Sequence, residues 1–391
     1  MGRRVRYVRT RLLFSPMIRL IVDKAIPYLD AVLPRYFDVL SLPAAQITRN
    51  AIRDFGADAL IIRTVTRCNE QLLSGTKVRF IATATAGSDH IDRDYCRAQG
   101  ICVADAAGCN APAVAQWLFA ALARRAVRAQ RPLTEERIGI VGVGHVGSAV
   151  AQQARIIGCK TLLCDPPLES KNSKLSFNSL DTLAQNCTLL TFHVPLTRDG
   201  LYPTFHLINR ELIQKLSSET ALVNASRGAV ACTEELIEAR KSGAVGDLLI
   251  DCWEGEPNIN AELLALAHTA TPHIAGYSAE SKARSSRCAV AAVANFFGID
   301  ALHIDLLNEI APPAPENNYI DASGFGDYTL EKTLLATVPI SQTEQKLRSE
   351  AAHFEQLRTT YPYHREPSAW IVQHAAPRYR DQLSTLGFRL A

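Results

Sequence analysis

The 391-residue sequence has no apolar run approaching the roughly 20 residues a membrane span requires, because an Arg, Asp or Gly interrupts each one. No membrane partner is expected. It has no Cys-x-x-Cys pair: its ten cysteines stand singly, with no Cys/His cluster at metal-ligand spacing. That argues against structural zinc or any other metal and suits reduced thiols in a cytoplasmic protein. Excess charge is almost absent too. The formal net charge is +3, yet Arg3, Arg4, Arg6, Arg9 and Arg11 all fall within residues 1–16, where there is no acid; without those five, 37 basic residues face 39 acidic ones. A near-neutral body carries no nucleic-acid footprint. The basic start offers only Leu12, Leu13 and Phe14 before Ser15-Pro16, too short for the apolar segment of a signal peptide. Residues 1–16 are expected to be a disordered basic extension, and Met17, which opens the strand-like "MIRLIVDKAIPY", is a credible alternative start. Internal repeats and low-complexity tracts are missing as well.

What is present is a regular alternation. Short apolar runs, "IRLIVD", "ADALIIRT", "VRFIATATAG", "RIGIVGVG", "KTLLCD", "TLLTFHVP", "TALVNAS", "GDLLIDC" and "HTATPHI", are separated by segments of helix length. Strands that lack strict in/out alternation and are joined by helices predict parallel sheets covered on both faces, an α/β class. The length exceeds what one core usually organises, so two or three domains are expected. "APAVAQWLFAALARRAVRAQ" reads as a long helix leading into a glycine motif, and "NEIAPPAPENN" as a linker to a third, α+β unit of different texture. The expected division is residues 17–115 with 277–305, residues 116–276, and residues 306–391.

The glycine motif is "GIVGVGHVG", in which Gly142, Gly144 and Gly147 have the spacing G-x-G-x-x-G. Alone this is weak, since glycines also serve tight turns. Its context is stronger: a strand precedes it, a helix follows it, and a second strand ends in Asp165, 23 residues after Gly142. That is the pattern of a dinucleotide fingerprint. Gly142 permits the turn, Gly144 lets backbone approach a pyrophosphate, Gly147 allows close helix packing, and the acid accepts from ribose hydroxyls. The helix N-terminus adds amides and a positive dipole end. An acid here repels a 2′-phosphate, so NAD is expected rather than NADP.

Further chemistry stands at the ends of later strands: Arg227 in "NASRGA", Asp251, Glu254 and Glu256 in "DCWEGEP", and His273 in "TPHIAGYS". Ligands of open α/β sheets bind beyond the carboxyl ends of the strands, so these turns are expected to face one crevice. Arginine grips carboxylates through its fork, histidine moves protons near neutral pH, and a carboxylate beside that histidine stabilises the imidazolium. Taken singly, each has a plainer reading: a surface turn for Arg227, a helix-entry acid for Glu256, a satisfied strand-end residue for His273. Their order after a dinucleotide fingerprint favours the chemical one.

Through "GIVGVGHVG", "NASRGA", "DCWEGEP" and "TPHIAGYS", in that order, the chain resembles the D-2-hydroxyacid dehydrogenases. The intervals match too, with Arg227 29 residues before Glu256 and Glu256 17 before His273. "TATAGSDHID", "LLCDPP", "LTFHVPL", "DCWEGEPNIN", "TPHIAGYSAESKAR" and, more loosely, "FEQLRTTYPYHREPSAWIV" are similar to a branch that acts on a 4-phosphorylated 2-hydroxy acid in vitamin B6 synthesis and carries an extra C-terminal domain. The resemblance implies two Rossmann-like doubly wound parallel-sheet domains and a C-terminal α+β dimerisation domain, hence a homodimer. It implies His273 as proton acceptor, Glu256 as its partner and Arg227 as the group that orients the carboxylate. NAD would be held around Gly142, Gly144, His145, Val146, Gly147, Asp165, Val194, Ala225, Ser226, Asp251 and Gly276, with the His145 ring pointing outward and Asp251 near the nicotinamide carboxamide. Substrate would meet Thr64, Thr85, Tyr277 and the amides of residues 86–88, with Arg63 and Arg67 as candidates for the phosphate. Thr64 stands where relatives often have serine. Closure about hinges near 110–120 and 277–290 is the motion expected. The alternatives are the same chemistry on 3-phosphoglycerate, and an NAD-sensing scaffold resembling the transcriptional corepressors built on this fold.

Overall fold

The computed structural model describes residues 17–171, 174–299 and 309–391; the expected extension at 1–16 lies outside them. The chain divides into two compact units, one running to residue 106 and resuming at 285–311, the other made of 107–284 and 312–391.

The first unit is a five-stranded parallel sheet of β1 (Arg19–Asp23), β2 (Asp38–Leu42), β3 (Ala59–Ile62), β4 (Phe80–Thr83) and β5 (Cys102–Asp105) in the order β2-β1-β3-β4-β5. β3 and β4 are buried along their whole length, as strands covered on both faces must be. The strand order reverses between β1 and β3. There Asp23, fully buried at the end of β1, accepts from Arg63 Nε at 2.8 Å and Nη2 at 3.3 Å.

The second unit holds a six-stranded parallel sheet of β6 (Arg137–Val141), β7 (Lys160–Cys164), β8 (Leu189–Phe192), β9 (Ala221–Asn224), β10 (Leu248–Ile250) and β11 (Thr269–Ala270), ordered β11-β10-β9-β8-β6-β7. Its order reverses between β6 and β8, so the turn leaving β6 opens at a topological switch point, where such sheets bind ligands. The helix Ala111–Ala129 is buried around most of its circumference, Trp117 and Phe119 included. Each of the nine expected strands is present.

Two features depart from expectation. β2 and β5 were not foreseen: both are edge strands, partly exposed, with too few apolar residues to stand out. The C-terminal residues also do not form a separate third unit. β12 (Tyr319–Asp321), β13 (Ile371–Gln373) and β14 (Arg389–Leu390) make their own parallel sheet, but Ile320, Leu330, Leu334, Val372 and Phe388 share one apolar core with Trp117, Ile138 and Val150. Glu366 adds polar ties, accepting from Ser278 Oγ at 2.6 Å and from Arg284 Nη1 at 2.9 Å, while Arg284 Nε donates to the Cys109 carbonyl at 2.8 Å. The breaks fall at 106/107, 284/285 and 311/312 rather than at 115/116, 276/277 and 305/306.

Candidate active site

The glycine loop follows β6. Gly142 takes φ +85°, and a Cβ there would stand 2.7 Å from the His193 carbonyl oxygen; a Cβ on Gly147 would stand 2.0 Å from the Gly142 oxygen. Both glycines are required by space. Gly144 differs: it caps the helix His145–Ile157, and a Cβ there meets nothing within 4 Å. The bare backbone at that helix N-terminus fits a pyrophosphate. Asp165 Oδ2 accepts from the Val143 amide at 2.7 Å and Oδ1 from the Leu168 amide at 2.9 Å, so the carboxylate fixes the loop and caps the next helix. Each oxygen keeps a lone pair for a ribose hydroxyl. Val146 packs into the core and leaves only its amide to the loop, and Val194 packs over Gly142. His145 is exposed, and its ring lies beside the Gly108 backbone, where a Cβ would be 2.8 Å from Cγ and Nδ1.

The loops leaving β9, β10 and β11 interlock. Asn224, the last residue of β9, donates from Nδ2 to the Arg227 carbonyl at 2.9 Å and the Gly228 carbonyl at 3.3 Å, and its Oδ1 accepts from Ser226 Oγ at 3.0 Å. Arg227 begins a short 3-10 turn beside the half-buried Ala225, its Nη1 donating to the Ser226 carbonyl at 2.9 Å. The next residue has no room for a side chain: a Cβ on Gly228 would lie 1.9 Å from the Trp253 carbonyl oxygen. Gly228 thus seats the arginine turn directly on the turn that carries Glu256.

The three carboxylates of "DCWEGEP" do three different jobs. Asp251 is 1% exposed; Oδ1 accepts from Thr271 Oγ1 at 2.6 Å and the Ile274 amide at 2.8 Å, and Oδ2 from the Ala275 amide at 2.9 Å. Burial pushes its carboxyl above the usual range, opposed by His273 and by those donors. Asp251 thereby holds the turn on which His273 stands. Glu254 accepts from the Thr233 amide at 3.1 Å, covering a helix N-terminus, and pairs with His206 Nε2 at 2.6 Å. Only Glu256 reaches the histidine.

His273 has φ +56°, the left-handed region that costs a side-chain-bearing residue about 1–3 kcal/mol. Its amide donates to the Asp251 carbonyl at 2.8 Å, and the two following amides bind the Asp251 carboxylate, which offsets the strain. Nδ1 lies 2.8 Å from Glu256 Oε2, while Glu256 Oε1 accepts from the Trp253 amide at 2.6 Å. Burial acts to raise the Glu256 carboxyl, but the charge and hydrogen bond of His273, the Trp253 amide and the charge of Arg358 outweigh it, so the net direction is down. An ionised Glu256 holds the proton on Nδ1 and leaves Nε2 as the acceptor. Cys252 Sγ also lies within 4.8 Å of these ligand atoms. That thiol, however, donates to the Ser226 carbonyl at 3.3 Å, and burial pushes it well above its ordinary value. A protonated thiol beside a committed carboxylate is a poor metal ligand.

Beyond the histidine, Gly276 abuts Asn110, whose Nδ2 would be 2.7 Å from an added Cβ, and Tyr277 meets Tyr363 edge-on at 6.3 Å. In the first unit, Thr64 is exposed just after β3. Thr85 Oγ1 donates to the Gly87 carbonyl at 2.8 Å and lies 2.6 Å from Thr83 Oγ1, which in turn lies 3.2 Å from His90 Nε2. Its hydroxyl therefore shapes the 85–88 loop. Arg63 is paired with Asp23 through Nε and Nη2, and its side chain remains 27% exposed. Arg67, with Arg49 and Asn69, lines a groove of about 540 Å³ on the same unit. Asn224, Gly228, Trp253 and Thr271 were not singled out from sequence, though "NASRGA" and "DCWEGEP" contain three of them; their importance lies in backbone contacts that no motif announces.

Comparison with known proteins gives the family. The model of the D-isomer specific 2-hydroxyacid dehydrogenase NAD-binding domain matches residues 112–275. The erythronate-4-phosphate dehydrogenase of Porphyromonas gingivalis is 42% identical over 95% of this chain and 100% of its own length. That of Klebsiella pneumoniae is 38% identical over 95% and 98%. Among solved structures, the D-lactate dehydrogenase of Aquifex aeolicus with NAD and lactic acid superposes with a TM-score of 0.57 at 26% identity, covering 73% of this chain and 97% of that one. The NAD-bound 3-phosphoglycerate dehydrogenase of Entamoeba histolytica gives 0.62 at 24% identity, over 72% and 96%, a likeness of fold.

Proposed function

The chain belongs to the erythronate-4-phosphate dehydrogenases, within the D-isomer specific 2-hydroxyacid dehydrogenase family, and from that premise we propose that it oxidises 4-phospho-D-erythronate to 2-oxo-3-hydroxy-4-phosphobutanoate, a step of pyridoxal 5′-phosphate synthesis. The observation that carries the reading is the Glu256–His273 dyad, fixed on a strained turn beside Arg227. NAD, when bound, supplies the acceptor for the hydride that leaves C2. His273 Nε2 takes the proton of the 2-hydroxyl as C2 becomes a carbonyl, Glu256 stabilises the imidazolium so formed, and Arg227 orients the C1 carboxylate through its fork. Thr64, Thr85 and Tyr277 are assigned to the substrate; Gly142, Gly144, His145, Val146, Gly147, Asp165, Val194, Ala225, Ser226, Asp251 and Gly276 to the cofactor.

All ten cysteines are free, which supports a cytoplasmic setting; no described helix is long and apolar enough to cross a membrane. A homodimer formed through the C-terminal residues is part of the proposal, and light scattering of the purified chain tests it.

The deciding experiment is NADH formation with 4-phospho-D-erythronate, 3-phosphoglycerate and D-lactate, with 2-oxoglutarate tested as a recycling acceptor. Selective turnover of phosphoerythronate, abolished in His273→Ala with NADH binding retained, supports the assignment. Turnover only with another acid discards the substrate, and NADH binding without turnover of any acid favours the sensor.

A further inference from the structure

The helix Phe354–Thr359, in the "FEQLRTTYPYHREPSAWIV" stretch, joins the apolar cluster that also holds Trp253 and Leu263, with Phe354 buried in it and Leu357 packed against it. Arg358 therefore comes to rest inside the second unit, near the dyad. Its side chain is only 18% exposed, its Nε is buried without a hydrogen-bond partner, and its ion pair with Glu355 spans 3.7 Å, beyond hydrogen-bonding distance. A buried donor left unsatisfied costs about 1–3 kcal/mol, and more when charged. Something anionic is the natural partner.

The groups that feel this guanidinium say where it lies. Burial acts to lower its own basicity, but Tyr277, Glu256, Glu355 and Cys252 raise it, Tyr277 most strongly of these. A second cation converges on the same tyrosine: Lys282 Nζ stands 3.4 Å from the centroid of the Tyr277 ring and 5.3 Å from that of Tyr363. Two positive charges thus flank a phenol four residues beyond His273. Glu280, on the same helix as Lys282, is tied to Arg365 Nε at 2.8 Å and to the Glu366 amide at 2.9 Å. In the first unit, Arg63 is paired with Asp23, while Arg67 lines a separate groove with Arg49.

We propose that Tyr277, Lys282 and Arg358 form an anion subsite that takes the phosphate of the substrate, while C2 is held at His273 and the carboxylate at Arg227. A phosphomonoester carries about −1.5 to −2 charges at pH 7 and offers three acceptor oxygens. A guanidinium fork and an ammonium are the side chains suited to it. The C-terminal residues then supply a specificity group as well as packing. This assignment rests on the substrate reading above.

The test compares kcat/KM for 4-phospho-D-erythronate and for unphosphorylated D-erythronate in the wild-type chain and in Arg358→Gln, Arg358→Lys and Lys282→Gln. The expected result is a fall of roughly 100-fold in the ratio of kcat/KM for the phosphorylated acid to that for the unphosphorylated one in Arg358→Gln, with partial recovery of the ratio in Arg358→Lys. Inorganic phosphate, used as a competitive inhibitor, is expected to weaken at least about tenfold in Arg358→Gln. A folding defect, or an effect exerted only through Glu256, lowers both substrates together and leaves their ratio unchanged; that outcome overturns the subsite while the function stands. A wild-type chain that oxidises D-erythronate but not its 4-phosphate overturns the function, and the subsite with it.

Discussion

Replacing Gly228 by alanine adds one carbon at the tightest backbone contact of the site. The added Cβ would stand 1.9 Å from the Trp253 oxygen, 2.0 Å from its carbonyl carbon and 2.4 Å from the Glu254 nitrogen, where real Cβ contacts essentially never fall below 3.0 Å. The two turns must therefore separate by at least about 1 Å. Because Gly228 is outside the positive-φ region, the penalty comes from space alone and not from backbone preference. Overpacking of this kind costs about 1–3 kcal/mol of stability. The functional cost is argued separately: the arginine turn lies on one side of the contact and the Glu256 turn on the other, and a displacement near 1 Å at a catalytic constellation can cost about 100-fold in rate, or about 2.7 kcal/mol of transition-state stabilisation. The assay is kcat/KM for Gly228→Ala at a temperature where the melting curve shows it folded, alongside its Kd for NADH. The expected outcome is a roughly 100-fold loss of kcat/KM with NADH affinity within about threefold. A variant that is folded and retains kcat/KM within about threefold refutes the reasoning.

Gly144→Ala asks the opposite question, since a Cβ there has open space: the melting temperature is expected to stay put while NADH affinity, read by fluorescence titration, falls at least about tenfold, or about 1.4 kcal/mol; unchanged affinity means that the pyrophosphate does not lie against this residue. Asp247 offers a pH test away from the site. It accepts from Arg125 Nε at 3.1 Å and Arg128 Nη2 at 2.6 Å and pairs with His268 Nε2 at 2.9 Å. Burial acts to raise its carboxyl, but His268 and the two arginines outweigh that and hold it down to about 2, from 3.8. A depressed carboxylate stabilises the fold above its unfolded pKa and loses that contribution as pH falls through the folded value. The expected contribution is about 2 kcal/mol at pH 7, fading between about pH 4 and pH 2. Urea denaturation of Asp247→Asn against wild type checks it, and a difference that persists undiminished at pH 2 contradicts it.

The glycine loop and the Arg227, Glu256 and His273 turns were legible because each needs a particular residue type at a strand end, and parallel topology brings strand ends together. The nine strands were legible because burial on both faces forces unbroken apolar runs. Edge strands relax that demand; β7 was found despite its partial exposure because it ends in the acid of the glycine fingerprint, whereas β2 and β5 adjoin no such motif. The division of labour among Asp251, Glu254 and Glu256 was not legible either. All three are acids within six residues of one another, and only the fold decides that one faces the His273 turn, one a helix N-terminus and one the imidazole. Arg358 was harder still, since its place beside Tyr277 depends on a C-terminal helix joining the apolar cluster of Trp253, a tertiary contact without local signature.

Charge balance explains why such a contribution is needed. The site has two carboxylates close to His273, the buried Asp251 that holds its strained turn and the half-buried Glu256 that orients the imidazole. The substrate assigned to it brings a further carboxylate and a phosphate, about −2.5 to −3 at pH 7. Like charges at such separations repel by several kcal/mol once partly desolvated. Arg227 alone offsets one of them. A dehydrogenase acting on an unphosphorylated acid can stop there, but a second anionic end requires additional positive charge that does not draw Glu256 away from His273. Lys282 and Arg358 meet that condition: Lys282 stands over the Tyr277 ring, and the charge of Arg358 acts with His273 to hold the Glu256 carboxyl down while Glu256 stays 2.8 Å from His273 Nδ1. Placing the second cation on a helix from the C-terminal residues leaves the Glu256–His273 geometry intact while changing what the site will accept.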